Sequence, residues 1–139
     1  MSIPGRLLSG SVILAAACAS PAHAHHSFSM FDHRQCLEVT GTVRQFQFSY
    51  PHSWIWLVVP GSAGSSALYA FEGTDPASLR VRGWTQGSVQ VGEKITLRYR
   101  PLKDGRKGGS FFQVIGSDGH ALRTDEEACK PVPGGAPKS

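Results

Sequence analysis

Three of the chain's six histidines fall in one nine-residue stretch, His25 to His33, together with Met30. Imidazole nitrogens suit copper, zinc and nickel, and a thioether adds a preference for Cu(I). The segment directly follows a sequence that reads as an export signal, and this changes what its first histidine can do. If processing leaves His25 as residue one, its α-amino group and Nδ1 can chelate one metal ion together. With a reference pKa of about 7.7–8.0, the amine gives up its proton readily near neutral pH. The candidate ligand set is therefore His25, His26, Met30, His33 and His52, with His120 as a weaker addition and copper as the expected ion. The plain alternative is that His25 and His26 are a solvated remnant of the processing region and that His52 is a hydrogen-bonded turn residue.

The export reading rests on residues 1–24. Arg6 gives a positive start, Leu7 to Ala17 an apolar run, and Ala22-His23-Ala24 a small-x-small cleavage pattern. The run is shorter than the roughly 20 residues of a transmembrane helix, and no later segment approaches that length. A cut after Ala22 would instead leave His23-Ala24-His25, whose third-position histidine also chelates Cu(II). Cys18, after Ala15-Ala16-Ala17, is a lipoprotein alternative in which Ala15 stands where a large aliphatic residue is usual. Periplasmic or secreted is the expected location. If Cys18 leaves with the signal, Cys36 and Cys129 remain, and an even pair in an exported protein is most simply a disulfide.

Other chemistry is thin. The sequence has no nucleophile elbow, paired-carboxylate motif or phosphate-cradling glycine loop, so no enzyme is expected. Glu72, inside an apolar strand, is the one carboxylate placed where its pKa could be perturbed, although an outward or paired glutamate is the commoner outcome. Fourteen Lys and Arg against 10 Asp and Glu give a formal charge of +4, spread in singles and short pairs such as Arg106-Lys107. That pattern is a solvated surface and excludes a nucleic-acid arm. Tyr50, Trp54, Trp56 and Trp84 are candidates for an aromatic ligand platform, against the simpler reading that they fill a small core.

The elements that would carry these residues are mostly strands. Leu37, Val39, Gly41 and Val43 alternate with polar neighbours, after which the apolar phase shifts to Phe46, Phe48 and Tyr50. A bulge near Arg44-Gln45 absorbs the extra residue and bends the strand. Tyr50-Pro51-His52-Ser53 is a turn. Trp54 to Val59 is apolar on both faces and reads as a central strand, Leu68 to Glu72 as a third. Asp75 and Pro76 open a short helix as N-cap and first residue, with Leu79, Val81 and Trp84 expected toward the core and Gly83 ending it. Lys94 to Arg100 and Phe111 to Ile115 are the last two strands, with Gly108-Gly109 as part of the loop between them. Three strands, a helix and two strands predict a mainly all-β fold, a small five-stranded OB-like barrel with the helix between strands 3 and 4. The domain spans 25–122, and 123–139 forms a tail ordered only around Cys129.

His25-His26-Ser27-Phe28, Met30-Phe31-Asp32, Gly41-Thr42-Val43, Pro51-His52-Ser53, Glu72, Gly83-Trp84, Gly92-Glu93 and Pro101-Leu102-Lys103-Asp104-Gly105 form an ordered motif set. Over residues 25–122 this set resembles a family of small exported bacterial proteins catalogued as a domain of unknown function. Tyr50 departs from it where Asn usually precedes Pro-His, and Glu93 where Asp is common. The resemblance implies an exported β-rich domain and supplies no reaction. The expected role is thus a small exported binding protein, with copper held at the mature N-terminus and a metal ion or a periplasmic protein as partner. The alternative is a metal-free module that binds a ligand or protein through the aromatic face.

Overall fold

The first strand, β1 (Leu37–Gln47), has to serve two neighbours, and its bend allows this. Its register slips between Val43 and Gln45, so the predicted bulge is present. Before the bulge β1 pairs with β4 (Lys94–Pro101), from Leu37↔Tyr99 to Thr42↔Lys94. From Thr42 onward it also pairs with β2 (Trp54–Pro60), which forms a hairpin with β3 (Ser66–Glu72). The computed structural model describes residues 28–124. The expected signal peptide, His25, His26, Cys129 and nearly all of the expected tail lie outside those residues.

Closure comes from a parallel pairing of β3 with β5 (Gly108–Ile115), Ala70↔Gly108 to Glu72↔Ser110. Together with β4–β5 pairing, this completes a five-stranded barrel. The expected loop at Gly108-Gly109 is corrected here, because both glycines belong to β5. Gly108 adopts φ 138°, and a Cβ on it would lie 1.9 Å from the Ala70 carbonyl oxygen; on Gly109 it would lie 2.0 Å from that of Arg100. No side chain fits where these strands meet. A short sixth strand, β6 (Ala121–Arg123), adds to the edge of β5 and runs one residue past the expected domain boundary at 122.

Helix α1 (Pro76–Val81) begins as the sequence predicts: Asp75 Oδ1 accepts from the N–H groups of Ala77 at 2.9 Å and Ser78 at 3.0 Å. Pro76 and Leu79, three residues apart, share the buried side. Val81 does not follow them into the core and is 90% exposed. It lies about 200° around the helix from Leu79, since each residue turns about 100°. Gly83, at φ 86°, turns the chain so that Trp84 enters the core, 1% exposed. The Trp84 ring lies 6.3 Å from Phe46 and 5.7 Å from Phe111, and its Nε1 donates to the Arg123 carbonyl at 2.7 Å. That bond anchors β6.

Ile55, Leu57, Phe71, Leu97 and Tyr99 fill the barrel interior. Burial, with nearby Tyr69, pushes the Tyr99 hydroxyl up to about 12, so it stays protonated. Phe46 and Phe48 pack partly buried against this core, whereas Tyr50, expected on the same face, is 65% exposed. The alternation runs one residue past β1, to Phe48, and is lost before the Pro51 turn.

Candidate functional site

Strand β2 carries two different faces. Ile55 and Leu57 point into the barrel with no exposed surface, so Trp54 and Trp56 point out. The two indoles stack with centroids 5.8 Å apart and planes at 24°. Register places Trp56 between Gln45 on β1 and Ala70 on β3, and Trp54 between Gln47 and Glu72. One row further, Val58 lies between Thr42 and Leu68, and Leu68 is 56% exposed. The outer surface of β2 and β3 is thus an apolar stripe with glutamines on its β1 side. Of the four expected platform residues, Trp54 and Trp56 form this surface. Trp84 does not, because it is core, and Tyr50 stands exposed on the turn that leads into β2.

That turn supplies the polar end of the stripe. The Tyr50–Pro51 peptide bond is cis. Ser53 then bonds across to the exit of β3, its N–H donating to the Thr74 carbonyl at 3.0 Å and its carbonyl accepting from Gly73 N–H at 2.8 Å. This clamp sets His52 against Glu72, whose Oε1 meets His52 Nδ1. The side chains are 29% and 12% exposed. An ionised carboxylate only accepts, so with Glu72 charged the shared hydrogen sits on Nδ1. Glu72 also pairs in register with Trp54, so the carboxylate, the imidazole and the stacked indoles are neighbours. Ser53 itself is buried, and its hydroxyl has no partner among the described residues. The arrangement offers a ring-stacking surface with a hydrogen-bonding carboxylate–imidazole pair at one end.

Of the expected metal ligands among the described residues, only His52 belongs to this region. Met30 lies in a short 3-10 turn (Phe28–Met30), 37% exposed, and His33 is exposed before β1. His52 is engaged with Glu72, and His120 is exposed in the turn into β6. Among the described residues no three or more His, Cys, Asp or Glu side chains are grouped to hold an ion. Cys36 is buried, 3% exposed, immediately before β1.

A family model described as "Family of unknown function (DUF6152)" matches residues 13–111. The chain belongs to that family. No curated protein and no solved structure matches it. The DUF6152 match spans the tryptophan stripe, the His52–Glu72 pair and the Gly108-Gly109 closure. No helix among the described residues is long and apolar enough to cross a membrane.

Sequence reasoning considered His52 and Glu72 separately and did not pair them. Their separation of 20 residues carries no periodic signal. Asp32, read in the sequence only as part of the Met30-Phe31-Asp32 motif, is 7% exposed and organises the entry to β1. Asp32 accepts from Arg34 Nε at 3.2 Å, Gln35 Nε2 at 2.8 Å and Arg34 N–H at 3.1 Å. These bonds, the Arg34 side chain first, lower its carboxyl to about 2.

Proposed function

We propose that this DUF6152 member is an exported, non-catalytic binding module whose ligand lies on the outer face of β2 and β3. Trp54 and Trp56 are the stacking surface, and Glu72 with His52 supplies directional hydrogen bonds at its end. The observation that carries this reading is the outward indole stack on a strand whose alternate residues already fill the core. A barrel needs no tryptophans on that side for packing, and large aromatic rings beside hydrogen-bonding groups suit ligands with a flat apolar face and polar edges, such as sugar rings. Strands 2 and 3 are also where OB-type barrels bind oligosaccharides. A panel of soluble oligosaccharides, titrated by tryptophan fluorescence, tests it. At least one should quench the signal in the parent and fail to bind Trp54→Ala and Trp56→Ala variants that keep the parent melting temperature. If every sugar that binds the parent binds both variants equally, the stripe is not the site.

A second reading is copper at the mature N-terminus. Its support is the terminal histidine that cleavage after Ala24 would create, with exposed Met30 and His33 close behind. Lys103 N–H donates to the Met30 carbonyl at 3.0 Å and Lys103 Nζ to the Ser29 carbonyl at 2.6 Å, so Met30 starts from an anchored backbone. A Cu(II) titration of the mature protein against one bearing an extra N-terminal Gly decides it. A site on the His25 amine should weaken at least about 100-fold, through loss of the chelate. Equal binding overturns it. The disulfide belongs to the same exported picture: Cys36 with Cys129 should leave an intact mass two hydrogens below that of the reduced chain.

A further inference from the structure

The barrel has a concave feature at the opposite end of β2 and β3 from Trp54 and Glu72. Between Leu37 and Gly41, β1 pairs only with β4, and its pairing with β2 begins at Thr42↔Val58. At Gly41 the strands still touch, since a Cβ there would lie 2.8 Å from the Val58 carbonyl oxygen and 3.2 Å from Val59 Cγ2, and a cleft opens past it. The cleft, about 520 Å³ in volume, is lined on one side by Glu38, Val39 and Thr40 and on the other by Val59, Pro60 and the serine-rich 61–66 turn. Tyr69 and Lys107 complete it. This volume is in the range of small-ligand and peptide clefts, about 300–1,000 Å³.

Main-chain directions along β1 follow from the bonds of Val43. Its N–H donates to the Glu93 carbonyl at 2.8 Å and its carbonyl accepts from Gly92 N–H at 2.9 Å, so both point to the β4 side. With a period of two, those of Gly41 and Val39 point the same way, and those of Thr40 and Glu38 point into the cleft. The side chains agree. Thr40 Oγ1 lies 2.8 Å from Thr96 Oγ1, and Arg98 Nε donates to Glu38 Oε2 at 2.8 Å, the close cross-strand contacts of non-hydrogen-bonded pairs. Across the cleft β2 ends in Pro60, which has no N–H to donate. The edge of β1 is therefore the template.

We propose that this edge takes an extended peptide segment of a partner protein, added as a strand beside Glu38–Thr40. Two main-chain rungs, at Glu38 and Thr40, give it register, as strand addition requires. Val39, Val59, Ala67 and Tyr69 make an apolar wall suited to small aliphatic side chains at alternate positions. Lys107, whose Nζ lies 5.9 Å from the Tyr69 ring centre, favours an acidic residue or a carboxylate at that end. Glu38, the cleft's own carboxylate, is already held by Arg98. The proposal is independent of the tryptophan stripe.

Amide hydrogen exchange by NMR on the full mature chain tests it. In the free protein the Glu38 and Thr40 amides should exchange at least about 10-fold faster than those of Val39 and Gly41, which are bonded to β4. The probe is an acetylated, amidated hexapeptide alternating valine and threonine and ending in glutamate. It should slow the Glu38 and Thr40 amides at least about 10-fold, whereas the same peptide N-methylated on alternate amides should not. Lys107→Glu should weaken the glutamate peptide about 10-fold and spare one ending in lysine. Protection of Glu38 and Thr40 without peptide would mean that this chain's own 125–139 segment fills the edge. If that protection grew with protein concentration, a second copy would fill it. Either result overturns the proposal, as does equal protection by the N-methylated peptide or an unchanged affinity in Lys107→Glu.

Discussion

The two ends of β1 lead to opposite ends of the barrel, and these are finished differently. Past its C-terminal half, Phe46 leans on Trp84, and Leu79, Trp84 and Val89 join the continuous core beneath α1. At its N-terminal half no α-helix among the described residues covers the interior. Val39 and Tyr69 instead line the open cleft, with Val59 and Pro60 of β2 across it. One end is sealed by large apolar side chains and one indole hydrogen bond. The other borders the cleft between Glu38–Thr40 and the 61–66 turn. The lesson is that a barrel this small can complete its core from one side and keep a cleft beside its first strand on the other.

The sharpest way to break that comparison is at the sealed end. Trp84→Ala should destabilise the domain by about 3–5 kcal/mol, through the cavity it leaves and the unpaired Arg123 carbonyl. Chemical denaturation measures this, and a shift below about 1 kcal/mol would mean that the end is not held by Trp84. Next in size is the closure itself. Gly108→Ala should cost about 2–4 kcal/mol, because a Cβ there meets the Ala70 carbonyl at a φ that L-residues avoid. Ala at Gly119, another positive-φ site with open space around it, should cost less, about 1 kcal/mol. Smaller still is the outer stripe. Trp56→Ala should change stability by about 1 kcal/mol or less, and a loss as large as that of Trp84→Ala would place Trp56 among the structural residues.

The smallest effect appears at low pH and touches both ends alike. Asp75 starts α1 at the sealed end, and hydrogen bonds from Ser78, its hydroxyl first, lower the carboxyl to about 2. Asp32 is held as low at the other end, where its N–H donates to the Pro101 carbonyl at 2.8 Å. Each folded value lies below the ordinary 3.8, so each contribution is complete above about pH 4 and fades as pH falls toward 2. Asp75→Asn and Asp32→Asn should each flatten the acid limb of the stability curve between those values. An acid limb unchanged in both variants would contradict these assignments.

Much of this architecture was legible from local pattern. The bulge near Arg44, the Asp75 cap, the Gly83 stop and the alternation of Ile95, Leu97 and Tyr99 each depend on neighbours a few residues away. Those same short-range rules misplaced Val81, which lies inside α1 on the side away from Leu79, and Tyr50, which lies three residues past the end of β1. The candidate site was half legible. Trp54 and Trp56 stood out by type, but which tryptophans face out depends on what already fills the interior, and Trp84 fills it.

What the chain's own order of residues settled was therefore the kind and sequence of elements: strands, a capped helix, and a barrel able to close. Only the folded arrangement decided that Gly108-Gly109 is the closure and not a loop, since the oxygens that exclude a side chain come from Ala70 and Arg100. It alone paired His52 with Glu72 and left a cleft beside Glu38–Thr40, past the last β1–β2 pair at Thr42. The physical reason is one of range. Propensity, capping and alternation act over a few residues, whereas closure, the carboxylate–imidazole contact and the open edge arise where strands distant in the chain meet or fail to meet.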